Sequence, residues 1–165
     1  MTYTSASAHK QIKLWTEERD ALIQKEREIC SYTYQAGEEP VIEKYDFVNT
    51  QCRIAEYNNK IADLRHAVNL FNTTTVLPGL GFTIDEALVR MSMLNDQKNR
   101  LSRMKDIREK TRQTNYKGIS EFTERNFNID DCEALYQKVC NELIQIQLSI
   151  DKTNLTEQFD VPDED

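Results

Sequence analysis

Residues 73–88 read TTTVLPGLGFTIDEAL, and they contain both the clearest break in the chain and its clearest helix start. The proline and the two glycines end any preceding helix. Thr83 then opens a capping box: its hydroxyl accepts a hydrogen bond from the backbone NH of Glu86, whose carboxylate accepts one from the NH of Thr83. A long helix is therefore predicted on each side of the break, with Thr83 and Glu86 as structural caps.

Apolar side chains recur at helical spacing through four long segments. Glycine and proline supply only seven of the 165 residues, so the chain changes direction rarely. The predicted fold is mostly α: a single domain, residues 1–165, with amphipathic helices in a helical-hairpin or coiled-coil-like bundle with short β arms. The helices are predicted at residues 8–30, 46–72, 83–112 and 129–152. The strands are predicted at 31–34, 121–127 and 155–161, before a disordered acidic tail at 162–165.

Polar residues interrupt three of the apolar stripes. Arg19 and Glu26 in the first helix indicate either a wide flat interface or a polar layer between helices. Asn58 in the second helix either fixes the register of the helices or lies at the edge of the stripe in water. Lys98 interrupts the third helix. A lone bundle of this size would hide such residues poorly, which favours a homo-oligomer.

The second and fourth helices align without a gap, which pairs Phe47 with Ile129 and brings two Asn-x-Thr ends together at Asn72 and Asn154. This agreement is compatible with an internal duplication, although sequence identity over the full halves is near chance. Asn72 and Asn154 are then predicted to cap the two helices in the left-handed conformation. Ordinary helix termination is the default interpretation of both ends.

The sequence contains no basic, apolar leader and no run of about 20 apolar residues that could span a bilayer. A cytoplasmic protein that avoids membranes is expected. The four cysteines form no Cys-x-x-Cys pair, so reduced thiols are predicted rather than a zinc site or a disulfide scaffold. With only two histidines, the chain also lacks the second His helix of a di-iron bundle. No metal or cofactor is expected.

Two carboxylate pairs have the one-turn spacing that places both members on one helix face. They are Glu17 with Asp20, and Asp106 with Glu109. Facing pairs of this kind hold Mg²⁺ in all-α nucleotide pyrophosphohydrolases, which gives one enzymatic hypothesis. Lys and Arg flank both pairs, so solvated faces with ion pairs are the alternative.

The net charge of −7 argues against nucleic acid as a partner. Seven basic residues make the third helix locally positive between Lys98 and Arg112, but no aromatic residues alternate with them there. We predict instead that these basic residues face acidic residues of the same protein or of a protein partner.

Several helix-end motifs resemble a group of small uncharacterised bacterial helical proteins of the Firmicutes type. The group is distantly similar to the family labelled septicolysin. The resemblance covers the chain from the second helix onward and implies no catalytic residues. Its motifs lie at residues 67–74, Pro78-Gly79, 83–88 and 148–156.

These observations favour a non-enzymatic cytoplasmic helical protein that self-associates and acts as a structural or protein-interaction module. The alternatives are the Mg²⁺-dependent hydrolase and an oligomer that sequesters a small ligand between protomers.

Overall fold

The computed structural model describes residues 1–161 and is mostly helical, as predicted. The predicted tail at 162–165 lies outside the described residues. The elements follow one another as β1 (Thr2–Thr4), α1 (Ser5–Ile29), α2 (Phe47–Thr74), α3 (Ile84–Lys105), β2 (Lys110–Thr114), β3 (Ser120–Glu124), α4 (Ile129–Thr156) and β4 (Gln158–Asp160).

The described chain divides into two compact units, where the sequence predicted a single domain. The first unit comprises Met1–Thr74 and the C-terminal stretch from Thr153. Its helices α1 and α2 pack together around a small core, and β1 pairs antiparallel with β4 beside them. The core consists of Ala8, Ile12, Ile61, Leu64 and Val68, with Tyr3, Trp15, Phe159 and Val161 packed against it.

The second unit is Thr75–Lys152. The side chains of α3 and α4 form its core, and β2 and β3 form an antiparallel hairpin between the two helices in sequence. Both hydrogen bonds of the Thr83–Glu86 capping box are present at the start of α3. The core residues are Leu101, Cys132, Val139 and Leu143, with Met91, Leu94, Met104, Phe127 and Tyr136 packed against them.

Two predicted elements are wrong. The third helix ends at Lys105 rather than at residue 112, because the chain from Lys110 pairs with β3 through backbone hydrogen bonds. The strand predicted at 31–34 is absent, since residues 31–34 have no neighbouring strand to pair with. The strand predicted near the C-terminus is shorter than expected, because α4 continues to Thr156.

The predicted left-handed caps at Asn72 and Asn154 are also wrong. Both residues lie inside helices, and within residues 1–161 only glycines have a positive φ. The end of α2 stays helical through Thr74, whose hydroxyl donates to the carbonyl of Leu70. This hydrogen bond to the carbonyl four residues earlier satisfies the hydroxyl of Thr74 within the helix, so α2 continues past Asn72.

The internal duplication stays a prediction, and the second halves of α2 and α4 are compatible with it. Helices α2 and α4 both have 28 residues, so their gapless alignment matches Phe47 with Ile129 and Thr74 with Thr156. In the same alignment the four buried positions Ile61, Leu64, Val68 and Phe71 correspond to the buried positions Leu143, Ile146, Ile150 and Thr153.

The β-bridges repeat as well. Val76, just after α2, pairs with Thr83, the N-cap of α3. Gln158 corresponds to Val76 in the alignment, and it pairs with Thr4, the N-cap of α1. Each unit therefore contains one helical hairpin whose first helix begins beside a short extended segment.

Candidate interaction surfaces

The helical hairpin of the first unit carries a long segment without a core. None of the residues 13–60 is buried, although this segment holds most of α1, the first half of α2 and the connection between them. We call residues 13–60 the arm. Its apolar seam, which includes Trp15 and Ile54, is only half-buried. Helices gain most of their stability from burying an apolar face against another element. The helices of the arm have apolar faces, but these faces are not buried.

Polar side chains join the two helices of the arm. Arg19 Nη1 donates to Asn58 Oδ1 at 3.2 Å, and Gln51 Nε2 donates to Glu26 Oε1 at 2.5 Å. Between these two hydrogen bonds the residue number rises in α1, from 19 to 26, and falls in α2, from 58 to 51. The two helices are therefore antiparallel. The interrupting residues Arg19 and Glu26 thus form a polar layer between helices. Asn58 is exposed at the edge of the seam and still bonds across it.

The arm also exposes several large apolar side chains within one stretch of the sequence. All of them are more than half exposed, and they lie in the connection between α1 and α2 or in the first turn of α2. Scattered exposed apolar residues are ordinary, whereas a concentration in one stretch indicates a contact surface. The residues are Tyr32, Tyr34, Val41, Ile42, Phe47 and Val48.

A hydrogen bond between Tyr45 and Glu26 is expected to make the stability of the arm depend on pH. The hydroxyl of Tyr45 donates to Glu26, and this hydrogen bond raises the pKa of Tyr45 above its ordinary value of 10.0, with smaller contributions from desolvation and from the charge of Glu26. The stabilisation is present below pH 10 and is lost as pH rises through the raised pKa. We expect wild type to lose more free energy of unfolding above pH 10 than Tyr45→Phe, measured by urea denaturation. Tyr32→Phe is the control, and parallel profiles for wild type and Tyr45→Phe would contradict the assignment.

The second candidate surface is the hairpin of β2 and β3. Its turn is closed by Asn115, whose Oδ1 accepts from the backbone NH of Lys117 and of Ile119, both at 3.0 Å. Gly118 has a φ of 76°, the left-handed conformation that a tight hairpin turn requires there. The turn holds the side chain of Tyr116 out at the tip, where it is 92% exposed.

One face of this hairpin combines cations with an aromatic ring. Register pairs Arg112 with Phe122 and Lys110 with Glu124, so all four side chains share a face. Lys110 Nζ lies 4.9 Å from the centroid of the Phe122 ring, and Arg112 Cζ lies 6.0 Å from it. Lys110 also forms an ion pair with Glu124. We call Lys110, Arg112 and Phe122 the cationic face.

The carboxylates of the hydrolase hypothesis are exposed and have other roles. Glu17 forms an ion pair with Lys13 at 3.8 Å, and Asp20 forms one with Arg19 at 2.7 Å. The helical spacing predicted for the second pair is wrong, because Asp106 is the C-cap of α3 and Glu109 follows the helix.

Among residues 1–161, no three His, Cys, Asp or Glu side chains are grouped so that they could hold a metal ion. No helix in this part of the chain is both long enough and apolar enough to cross a membrane. The four cysteines are free thiols: Cys30 and Cys52 are exposed, Cys132 is buried, and Cys140 is half-buried.

A solved structure shares the fold. It is described as a functionally unknown conserved protein from Corynebacterium diphtheriae, with a TM-score of 0.59 and 17% sequence identity. The match covers 97% of this chain and 100% of that one, so the whole fold is shared. No protein-family model and no curated protein matches the chain. The resemblance to the septicolysin-labelled family stays a prediction.

Proposed function

We propose that the protein is a non-enzymatic interaction module of the cytoplasm that self-associates through its arm. The observation that carries the proposal is the absence of any buried residue between positions 13 and 60, in a segment that is largely helical. Two helices alone cannot bury their apolar stripes, and a helical hairpin gains a full core when two further helices cover it. The four free thiols are compatible with a reducing compartment.

A second copy of the chain is the partner whose chemistry fits. In a two-fold dimer the same patch meets itself, so a patch that is mainly apolar needs no complementary charge on the other side. The exposed apolar residues between Tyr32 and Val48 would supply such a patch. Two arms would together supply four antiparallel helices, and the half-buried seam with Trp15 and Ile54 would become the interior of that bundle.

Sedimentation equilibrium and native mass spectrometry test the proposal. We expect wild type to form a homo-oligomer with an even number of copies at micromolar concentration. The double variant Ile42→Ser, Val48→Ser is expected to weaken the association at least tenfold, because both side chains leave water on assembly. Both are exposed in the single chain, so the variant is expected to fold, as circular dichroism would verify.

The matched control is Ile144→Ser, Val89→Ser, which makes the same two substitutions at exposed helix positions outside the arm. This variant is expected to associate like wild type. A wild type that is monomeric at all practical concentrations, or a control that dissociates as readily as the arm variant, would overturn the proposal. A defined extra mass in the native spectrum would favour the ligand-sequestering alternative instead.

A further inference from the structure

A positive region lies within an acidic protein. The stretch from Lys98 to Arg125 contains nine basic and four acidic residues, whereas the whole chain has a net charge of −7. Among residues 1–161, Lys110 is the one member of these nine cations that forms an ion pair with a carboxylate. The other eight keep the charge available for an external anion.

The acidic residues of this stretch leave the cationic face positive. Glu124 is matched by Lys110, and Glu121 lies on the opposite face of the hairpin, where it accepts from Asn115 Nδ2 at 2.8 Å. Asp106 and Glu109 precede the hairpin, outside its two strands. Arg112 donates to Ser120 Oγ at 2.7 and 3.1 Å, which fixes its guanidinium on the same face as Phe122.

Aromatic rings accompany the cations, although sequence spacing alone shows no such alternation. Besides Phe122, the tip residue Tyr116 has Lys117 Nζ 5.5 Å from its ring centroid. Both rings are more than half exposed. A ring exposed to water beside a cation can stack on a nucleobase while the cation contacts the adjoining phosphate.

We propose that the cationic face, together with Tyr116 at the tip, binds single-stranded nucleic acid. Unpaired bases are required because the bases of a duplex are already stacked and present no face to Phe122. Each strand has five residues, about 17 Å at about 3.4 Å per residue, which is room for two or three nucleotides. Binding is expected to be weak, since the net charge of the chain opposes it, and to weaken further with added salt, because contacts to a few phosphates release bound counterions.

Fluorescence anisotropy of the full chain with a labelled 20-nucleotide oligouridine tests the site. At 50 mM salt we expect oligouridine to bind more tightly than a DNA duplex of equal length. With about three phosphates neutralised, log Kobs should fall with log salt at a slope of about −2. Phe122→Ala is expected to weaken binding about tenfold through the lost stacking, whereas Phe122→Tyr should retain it. Arg112→Gln should weaken binding and flatten the salt slope.

The control variant is Gln113→Ala, which changes the opposite face of the same strand and should bind like wild type. Circular dichroism and the retained binding of Phe122→Tyr distinguish the loss of base stacking at residue 122 from unfolding of the hairpin. Inorganic polyphosphate of equal charge is the competing polyanion. Polyphosphate could bind as tightly as oligouridine, and Phe122→Ala could leave the affinity for both polyanions unchanged. In that case the cationic face attracts polyanions by charge alone and does not stack on bases. That result, or no binding to oligouridine at 50 mM salt, would overturn the proposal.

Discussion

Replacing Leu64 by alanine is expected to lower the free energy of unfolding by about 3 kcal/mol, measured by urea denaturation followed by circular dichroism. Leu64 is 1% exposed and belongs to the core that α2 shares with Ala8 and Ile12 of α1. Alanine forfeits the transfer free energy of the buried side chain. The neighbouring side chains relax only partly, so a cavity adds to the cost.

Leu70→Ala is the matched control, because it makes the same change on the same helix at a residue that is 56% exposed. Its effect is expected to stay within about 0.5 kcal/mol. Equal losses in the two variants would contradict the packing of α2 against α1 and would place the hydrophobic face of α2 elsewhere.

The apolar stripe of α2 shows what periodicity can and cannot predict. The stripe runs from Phe47 through Ile54 to Phe71, and its last part is buried as expected. Phe47, however, is exposed, and Ile54 is only half-buried. Spacing identifies which side of a helix is apolar, but burial also needs another element to cover that side. In the arm, the first unit supplies no further element that covers that side.

The polar layer of the arm was only partly predictable for a similar reason. Arg19, Glu26 and Asn58 are recognisable as interruptions because they occupy apolar phases of a helix. Their partners depend on the register of two antiparallel helices, which the spacing within each helix does not specify. The structure supplies that register through the Arg19–Asn58 and Glu26–Gln51 hydrogen bonds.

The hairpin illustrates a limit of hydrophobic patterning. Strand β2 has the sequence KTRQT and contains no apolar residue, so alternation could not identify it. Pairing with β3 and the turn at Asn115 and Gly118 hold it in place instead. An Asn followed three residues later by Gly, between threonine-containing segments, was the local signal available. The aromatic Phe122 beside the cations comes from β3, which is why the basic run alone did not reveal the cationic face.

Ile146→Ala is expected to lower the free energy of unfolding by about 3 kcal/mol, as Leu64→Ala does. Ile146 is 2% exposed on α4, and the gapless alignment of α4 with α2 matches it to Leu64. The matched control is Ile144→Ala, at a position of the same helix that is 54% exposed. Urea denaturation of both variants should show a loss at residue 146 and a change within about 0.5 kcal/mol at residue 144.

The comparison of Ile146 with Leu64 also tests the internal duplication. If the two helical hairpins descend from one repeated unit, corresponding positions in the second halves of α2 and α4 should carry similar burial, and their alanine variants should differ by no more than about 1 kcal/mol. The Thr4–Gln158 and Thr83–Val76 bridges repeat in the same alignment, so the correspondence extends beyond the helices themselves. A negligible loss at Ile146 beside a large loss at Leu64 would show that α4 shares the length and phase of α2 without sharing its role. The repeated pattern would then reflect ordinary amphipathic helices of equal length rather than a duplicated hairpin.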